Sequence, residues 1–284
     1  MKTVLLAVVV LSGCSLYPAE VISKQPDPAV VQVGSGEHHL GVTRVAHASA
    51  LIDFDGAVVL TDPWFSEKPG YHHGEPLAMG VEKLPRLAAV IGSHDHYDHF
   101  DLETFKAYSD KSVPFVVGVE MVDKARAAGF TDVRGLEAWK STKVGEIEIT
   151  AVPGAHGMPE MTYVLKSPQF TVYFAGDSLL TAAMDEIPAR LGAIDVALLP
   201  VNGLHAVGSA VVMSDEEAAS LAAKLKPSIA VPIHYTFKGS GFTDTFILSY
   251  HGTAEGFVKA TAKAAPAVKT MVLEPGQRLD VAKP

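Results

Sequence analysis

At 284 residues, 48% hydrophobic and 19% charged, the chain can bury the core of one large α/β domain or two fused halves, and is too apolar to be a disordered segment. Its formal net charge of −9, with no basic stretch, offers no footprint for nucleic acid, so no nucleic-acid partner is expected. The single cysteine, Cys14, excludes an internal disulfide.

The chain opens on MKTVLLAVVVLSGC: one basic residue, an apolar run from Val4 to Leu11, then Ser-Gly-Cys, which is the pattern of a secretory signal peptide. The run is shorter than the roughly 20 residues that span a bilayer. Its end, LSGC, resembles the lipobox of bacterial lipoproteins. That resemblance implies cleavage before Cys14, a lipid such as palmitate on the protein and attachment to a membrane. Ser15 at the next position implies the outer membrane, facing the periplasm. The competing reading is a buried N-terminal helix with an incidental cysteine. Residues 1–13 are thus expected as a signal peptide, 14–36 (with Pro18, Pro26 and Pro28) as lipidated cysteine and tether, and 37–284 as the folded domain.

The domain alternates strands and helices. Two β-rich runs, Val42 to Ile52 and Ala57 to Thr61, flank DFDG as a hairpin turn. RLAAVIG is a short continuous apolar run, expected to be a strand buried on both faces. Asp101 predicts an N-cap for a helix from Leu102 to about Tyr108, and a second helix is expected over Met121 to Ala128, ended by Gly129. Further strands fit Glu146 to Val152, Met161 to Lys166, Thr171 to Phe174, Val196 to Pro200 and Ile229 to Ile233. Between the last two, SDEEAASLAAKL combines a Ser214 N-cap, Glu217 three residues on and 3.6-residue apolar periodicity, and so predicts a helix.

Directly after the buried strand comes SHDHYDHFD, where five metal-capable donors fall within the six positions from His94 to His99. Residues two apart on an extended segment point to one side, so His94 and His96 can share an ion. Asp98 and His99 follow in the turn before the helix, where they can be aimed at a second ion. The competing reading is a solvated polar loop whose histidines are accidental.

SHDHYDH resembles the signature of the metallo-β-lactamase superfamily of binuclear metal hydrolases, and the rest of the chain matches that family's order. Its third histidine matches His156 in AVPGAHG, its bridging carboxylate Asp177 in VYFAGDS, and its last histidine His234 in AVPIHYTF. The resemblance implies an α/β four-layer αβ/βα sandwich. It further implies two divalent ions, with His94, His96 and His156 on the first, Asp98, His99 and His234 on the second, and Asp177 between them. Zinc is the expected ion; manganese and iron suit the same ligands. In the family such a pair activates a bridging hydroxide, which makes Asp98 and Asp177 catalytic as well as ligating. Penicillin-cleaving members generally place cysteine or serine near the position of Asp177, so β-lactam hydrolysis is not expected. VAHASALIDFDGAVVLTDPWF and PIHYTF most resemble the branch containing ascorbate 6-phosphate lactonase and N-acyl-phosphatidylethanolamine phospholipase D.

Other side chains are less determined. His205, in a loop after a strand, could contact substrate or act as a proton donor. His47 is open between a structural and a site role, and Asp62 is expected to support a ligand histidine. Asn202 is expected to do the same, His72 and His73 to lie in a mobile surface loop, with a lid or substrate role as the alternative, and His38, His39 and His251 to be solvated. The expectation is a lipid-anchored hydrolase of a phosphodiester or lactone, with a small-molecule or lipid substrate. The alternative is a metal-binding lipoprotein without turnover.

Overall fold

The computed structural model describes residues 30–284, so the expected signal peptide, Cys14 and most of the tether lie outside the described residues. Two large sheets face each other. The first runs, edge to edge, Val30–Gly34, Arg278–Lys283, His38–Ala46, Ser49–Phe54, Ala57–Thr61, Ala89–Gly92, Phe115–Gly118 and Val133–Leu136. The second runs Lys269–Thr270, Ile229–Ile233, Val196–Pro200, Thr171–Phe174, Met161–Lys166, Ile147–Pro153 and Ser141–Val144.

Alternation along each strand decides which layer a side chain joins. Ala89 and Ile91, Val172 and Phe174, and Val196 and Leu198 point into the core between the sheets. Their neighbours point outward: Val90 joins an apolar layer that covers the outer face of the first sheet, with Phe105 and Ala125 from its helices. Tyr173, Ala197 and Leu199 join the corresponding layer on the second sheet, with Leu221, Ala222 and Phe257 from the helices Asp215–Leu225 and Ala254–Ala264. Three apolar layers between helices, sheet, sheet and helices give the four-layer αβ/βα sandwich expected. The runs read as apolar throughout because both of their faces are buried. Among the described residues no helix is long and apolar enough to cross a membrane.

Ser214 caps its helix as expected, in a reciprocal capping box with Glu217. The strands Ala57–Thr61, Met161–Lys166, Thr171–Phe174, Val196–Pro200 and Ile229–Ile233 fall where expected, and three other regions differ. The single run Val42 to Ile52 is two antiparallel strands, His38–Ala46 and Ser49–Phe54, folded back at His47 and Ala48. Neither residue signals a turn, and His47 takes the left-handed backbone (φ 54°) usually left to glycine or asparagine. The helix after Asp101 stops at Phe105, and the next is a short 3₁₀ turn, Val119–Met121, followed by Val122–Ala127. Val30–Gly34, expected in the tether, is an edge strand parallel to Arg278–Lys283.

Strand direction places the site. Ala57–Thr61 and Ala89–Gly92 are parallel, as are Thr171–Phe174, Val196–Pro200 and Ile229–Ile233, and their C-terminal ends meet at one rim of the sandwich. That rim also receives the end of His38–Ala46 and of Ile147–Pro153.

Candidate metal centre

Every residue of the site follows a strand that ends at this rim. His94, His96, Asp98 and His99 follow Ala89–Gly92; His47, Asp62, His156, Asp177 and His234 follow the strands ending at Ala46, Thr61, Pro153, Phe174 and Ile233. Seven non-glycine residues among those described have positive φ, and His47, Asp62 and His234 are three of them. Backbone strain is thus accepted at three positions that present site side chains.

One group consists of His94, His96 and His156. Nδ1 of His96 lies 2.9 Å from Nε2 of His94 and 3.0 Å from Nε2 of His156. His156 donates Nδ1–H to the Val211 carbonyl (2.6 Å), leaving its Nε2 lone pair directed at the other two rings. Burial holds all three imidazoles below their ordinary pKa, so they are neutral donors.

The second group joins Asp98, His99 and His234 with His47. His99 donates Nδ1–H to Asp62 (2.6 Å), the contact expected of Asp62, which also accepts from the amide (2.7 Å) and hydroxyl (2.6 Å) of Ser93. Oδ2 of Asp177 lies 3.0 Å from Nε2 of His99 and 2.7 Å from Nε2 of His234. The two groups adjoin, with the rings of His94 and His99 4.3 Å apart. Burial alone would raise Asp177 and Asp98. His234 and His99 overcome it at Asp177, and His99 and His47 at Asp98, so both carboxyls are held below their usual range as anions. At His99 burial is likewise outweighed, by Asp177 and Asp98, and its pKa rises.

The donor chemistry fits divalent cations. Nε2 of His234 is buried without a hydrogen-bond partner, although Asp177 Oδ2 lies 2.7 Å away. Oδ1 of Asp98, Oδ1 of Asp177 and Nδ1 of His47 are also buried without partners. Each such group costs about 1–3 kcal/mol if left bare, and a cation satisfies nitrogen lone pairs and carboxylate oxygens together.

His47 belongs to the site: it is fully buried, with Nε2 3.3 Å from both Asp98 Oδ2 and His99 Nε2. Its turn is held by Glu75, which accepts the His47 amide (2.8 Å) and pairs with the buried Arg44 (2.8 Å). His205 is not brought to this group. It lies on a small sheet of Ser209–Ala210, Leu204–Ala206 and Leu248–Tyr250, its ring 4.3 Å from His251. Asn202 instead caps the adjoining turn, accepting from the Leu204 amide. The expectation of a mobile loop at His72 and His73 is corrected. His73 is buried and stacks on Trp64 at 3.8 Å, and His72 exchanges backbone hydrogen bonds with Lys238. His38 and His39 are half-exposed and pair with Asp55 and Asp280. Sequence reasoning missed Glu160, which is fully buried and accepts the Asp177 amide (2.7 Å). Burial and then Asp177 push its carboxyl well above the usual range. A Cβ at Gly176, where φ is +54°, would lie 2.6 Å from Glu160 Oε1, so the turn presenting Asp177 requires glycine. A lone glutamate ahead of a strand carries no spacing signal that could have revealed this role.

A family model described as the beta-lactamase superfamily domain matches residues 58–235, a span that holds every residue of the two groups except His47. The chain belongs to the beta-lactamase superfamily. It is 30% identical over 269 residues to an uncharacterized protein of Mycobacterium tuberculosis, covering 86% of this chain and 70% of that one. To a UPF0173 metal-dependent hydrolase of Caldivirga maquilingensis it is 29% identical over 242 residues, covering 84% and 96%. Among solved structures, Igni18, a metallo hydrolase from Ignicoccus hospitalis, superposes with a TM-score of 0.68 at 25% identity, over 87% of this chain and all of that one. An isothiocyanate hydrolase from Delia radicum gut bacteria shares the fold at TM-score 0.67 and 19% identity, over 84% and 98%.

Proposed function

We propose that this superfamily member is a metal-dependent hydrolase that uses two divalent cations, with zinc the first choice, to cleave a phosphodiester or lactone, and that a lipid on Cys14 anchors it to the outer membrane on the periplasmic side. The observation that carries the reaction is the adjacency of two complete donor groups, three neutral histidines beside Asp98, His99, His234 and His47, with Asp177 against the second. Two cations held there would bring the pKa of a shared water toward neutrality and polarise the substrate oxygen. Asp98, with Oδ1 unpartnered, is placed to accept a proton from the attacking water. Tyr71 keeps its O–H, because burial and then the charge of Asp98 raise its pKa, and it can donate to an anionic oxygen.

The substrate class is supported by a cavity of about 510 Å³ beside His96. Lys68, Lys106 and Lys124 line it with Tyr71 and Tyr97, against the carboxylates of Asp95 and Glu103. Lys124 is paired with Asp95, while Lys68 lies 3.5 Å over the Tyr97 ring. This wall suits a substrate with an anionic group and an apolar body. The relatives named as metal-dependent hydrolases support hydrolysis, and the resemblance to the lactonase and phospholipase D branch supports the bond type.

The test is elemental analysis of the purified protein with a turnover screen on bis-nitrophenyl phosphate, lactones, thioesters and a cephalosporin. Two ions per chain and turnover of a phosphodiester or lactone are expected; cephalosporin cleavage alone overturns the substrate class. For the anchor, mass spectrometry of the membrane-extracted chain should find a lipid on Cys14, and an unmodified thiol there overturns it.

A further inference from the structure

We infer that the rim carrying the metal centre docks on a lipid bilayer through an apolar tip formed by Val207, Phe242, Phe246 and Ile247. Among the described residues six large hydrophobic side chains are exposed, and these four are 83%, 67%, 74% and 36% exposed. They form one patch: the rings of Phe242 and Phe246 are 5.2 Å apart, and the Val207 amide donates to the Ile247 carbonyl at 2.9 Å. The short helix Gly241–Phe246 has no buried residue, so its aromatics contribute nothing to a core. It is nevertheless braced. Ser240 and Thr243 form a capping box, and Asp244 accepts the Gly239 amide (3.0 Å) and the Tyr250 hydroxyl (2.7 Å). A segment fixed in this way holds two phenyl rings in water at a cost that a receiving apolar phase would remove.

Position on the fold selects the bilayer. The helix begins seven residues after His234, and Phe237 between them stacks on the His234 ring (6.2 Å), so the tip stands at the rim of the site. The N-terminal chain also enters there. Val30 is in register with Arg278, which is in register with Thr43, four residues before His47, whereas Gly34 lies toward the far end of the sheet. Sixteen positions separate Cys14 from Val30, a reach of at most about 55 Å. A lipid on Cys14 would therefore hold this rim toward the membrane, and in this respect the inference rests on the proposed anchor. Asp244 is the only charged residue in the helix and its carboxylate is engaged, so insertion is apolar and insensitive to salt.

The experiment uses a metal-loaded chain beginning at Ser15, which keeps every described element and carries no lipid, so its outcome does not depend on Cys14 or on turnover. Flotation with vesicles of phosphatidylethanolamine and phosphatidylglycerol should show binding at low and high salt. Phe242→Ser with Phe246→Ser should weaken it at least about tenfold. Metal content should remain at the parental level in the double variant. Phe242→Trp should keep binding and shift its emission to the blue on vesicles. Parental binding by the serine variant, an unshifted tryptophan, or a dimer in sedimentation that the serine pair dissolves would each overturn the inference, the last by assigning the tip to a second copy.

Discussion

Asp177 shows how much one side chain carries here. It lies within 3.0 Å of nitrogens from two different loops, at His99 and His234, and it is anionic only because these imidazoles outweigh its burial. Asparagine keeps its size and removes the charge. Asp177→Asn should therefore lose at least about a hundredfold in turnover, the scale of a misplaced catalytic group, while melting as a folded protein with reduced metal content. Near-parental turnover on the substrate found by the screen would sink the mechanism. The grouping of His94, His96, Asp98 and His99 was legible because the geometry needed to converge them lies within six positions. Glu160, Glu75 and Arg44 were not, because their roles depend on contacts 17 to 31 residues away that no local spacing encodes.

Among the elements, turns were the hardest to read, and they are what aims the site. The hairpin at His47 carries none of the usual turn residues, so a β run was continued through it; its left-handed backbone is imposed from outside by Glu75 and Arg44. His72 and His73 were expected in a mobile surface loop, yet Glu67 ties it down. It accepts the His73 amide (2.7 Å) and lies 3.3 Å from the His73 ring and 3.1 Å from the His72 ring. Led by His73, these contacts outweigh partial burial and draw the Glu67 carboxyl from 4.5 down to about 2. A depressed acid stabilises the fold above its unfolded pKa and loses that contribution as pH falls toward its folded one. Glu67→Gln should thus flatten the stability slope between about pH 4.5 and 2. Because the carboxylate is more than a third exposed, the effect should stay under about 1 kcal/mol. Denaturant melts of parent and variant across that range measure it, and parallel curves would refute the tie.

For the molecule as a whole, the sheets were legible and their closure was not. Apolar runs marked most of the strands, but the pairing of Val30–Gly34 with Arg278–Lys283 joins segments some 250 positions apart, for which pattern has no reach. The metal centre makes a similar long-range connection. His94, His96, Asp98, His99 and His47 come from the first sheet, and His156, Asp177 and His234 from the second. Without a cation the group leaves buried nitrogens and carboxylate oxygens unpartnered where the two sheets meet at the rim; on the proposed reading a cation there would link them. Cation binding to the native state alone adds RT ln(1 + [L]/Kd), about 4 kcal/mol at a thousandfold excess over Kd. For a domain of this size each kcal/mol moves Tm by roughly 2–4 °C, so chelation should lower Tm by about 10 °C and added zinc should restore it. The decisive comparison is between sheets. His94→Ala and His156→Ala remove ligands of the same group from opposite sheets, so both should lose most of the chelator-sensitive increment, although neither touches the apolar layer between the sheets. If one variant keeps the full increment, the cation is held from one sheet only and does not link the two halves of the sandwich.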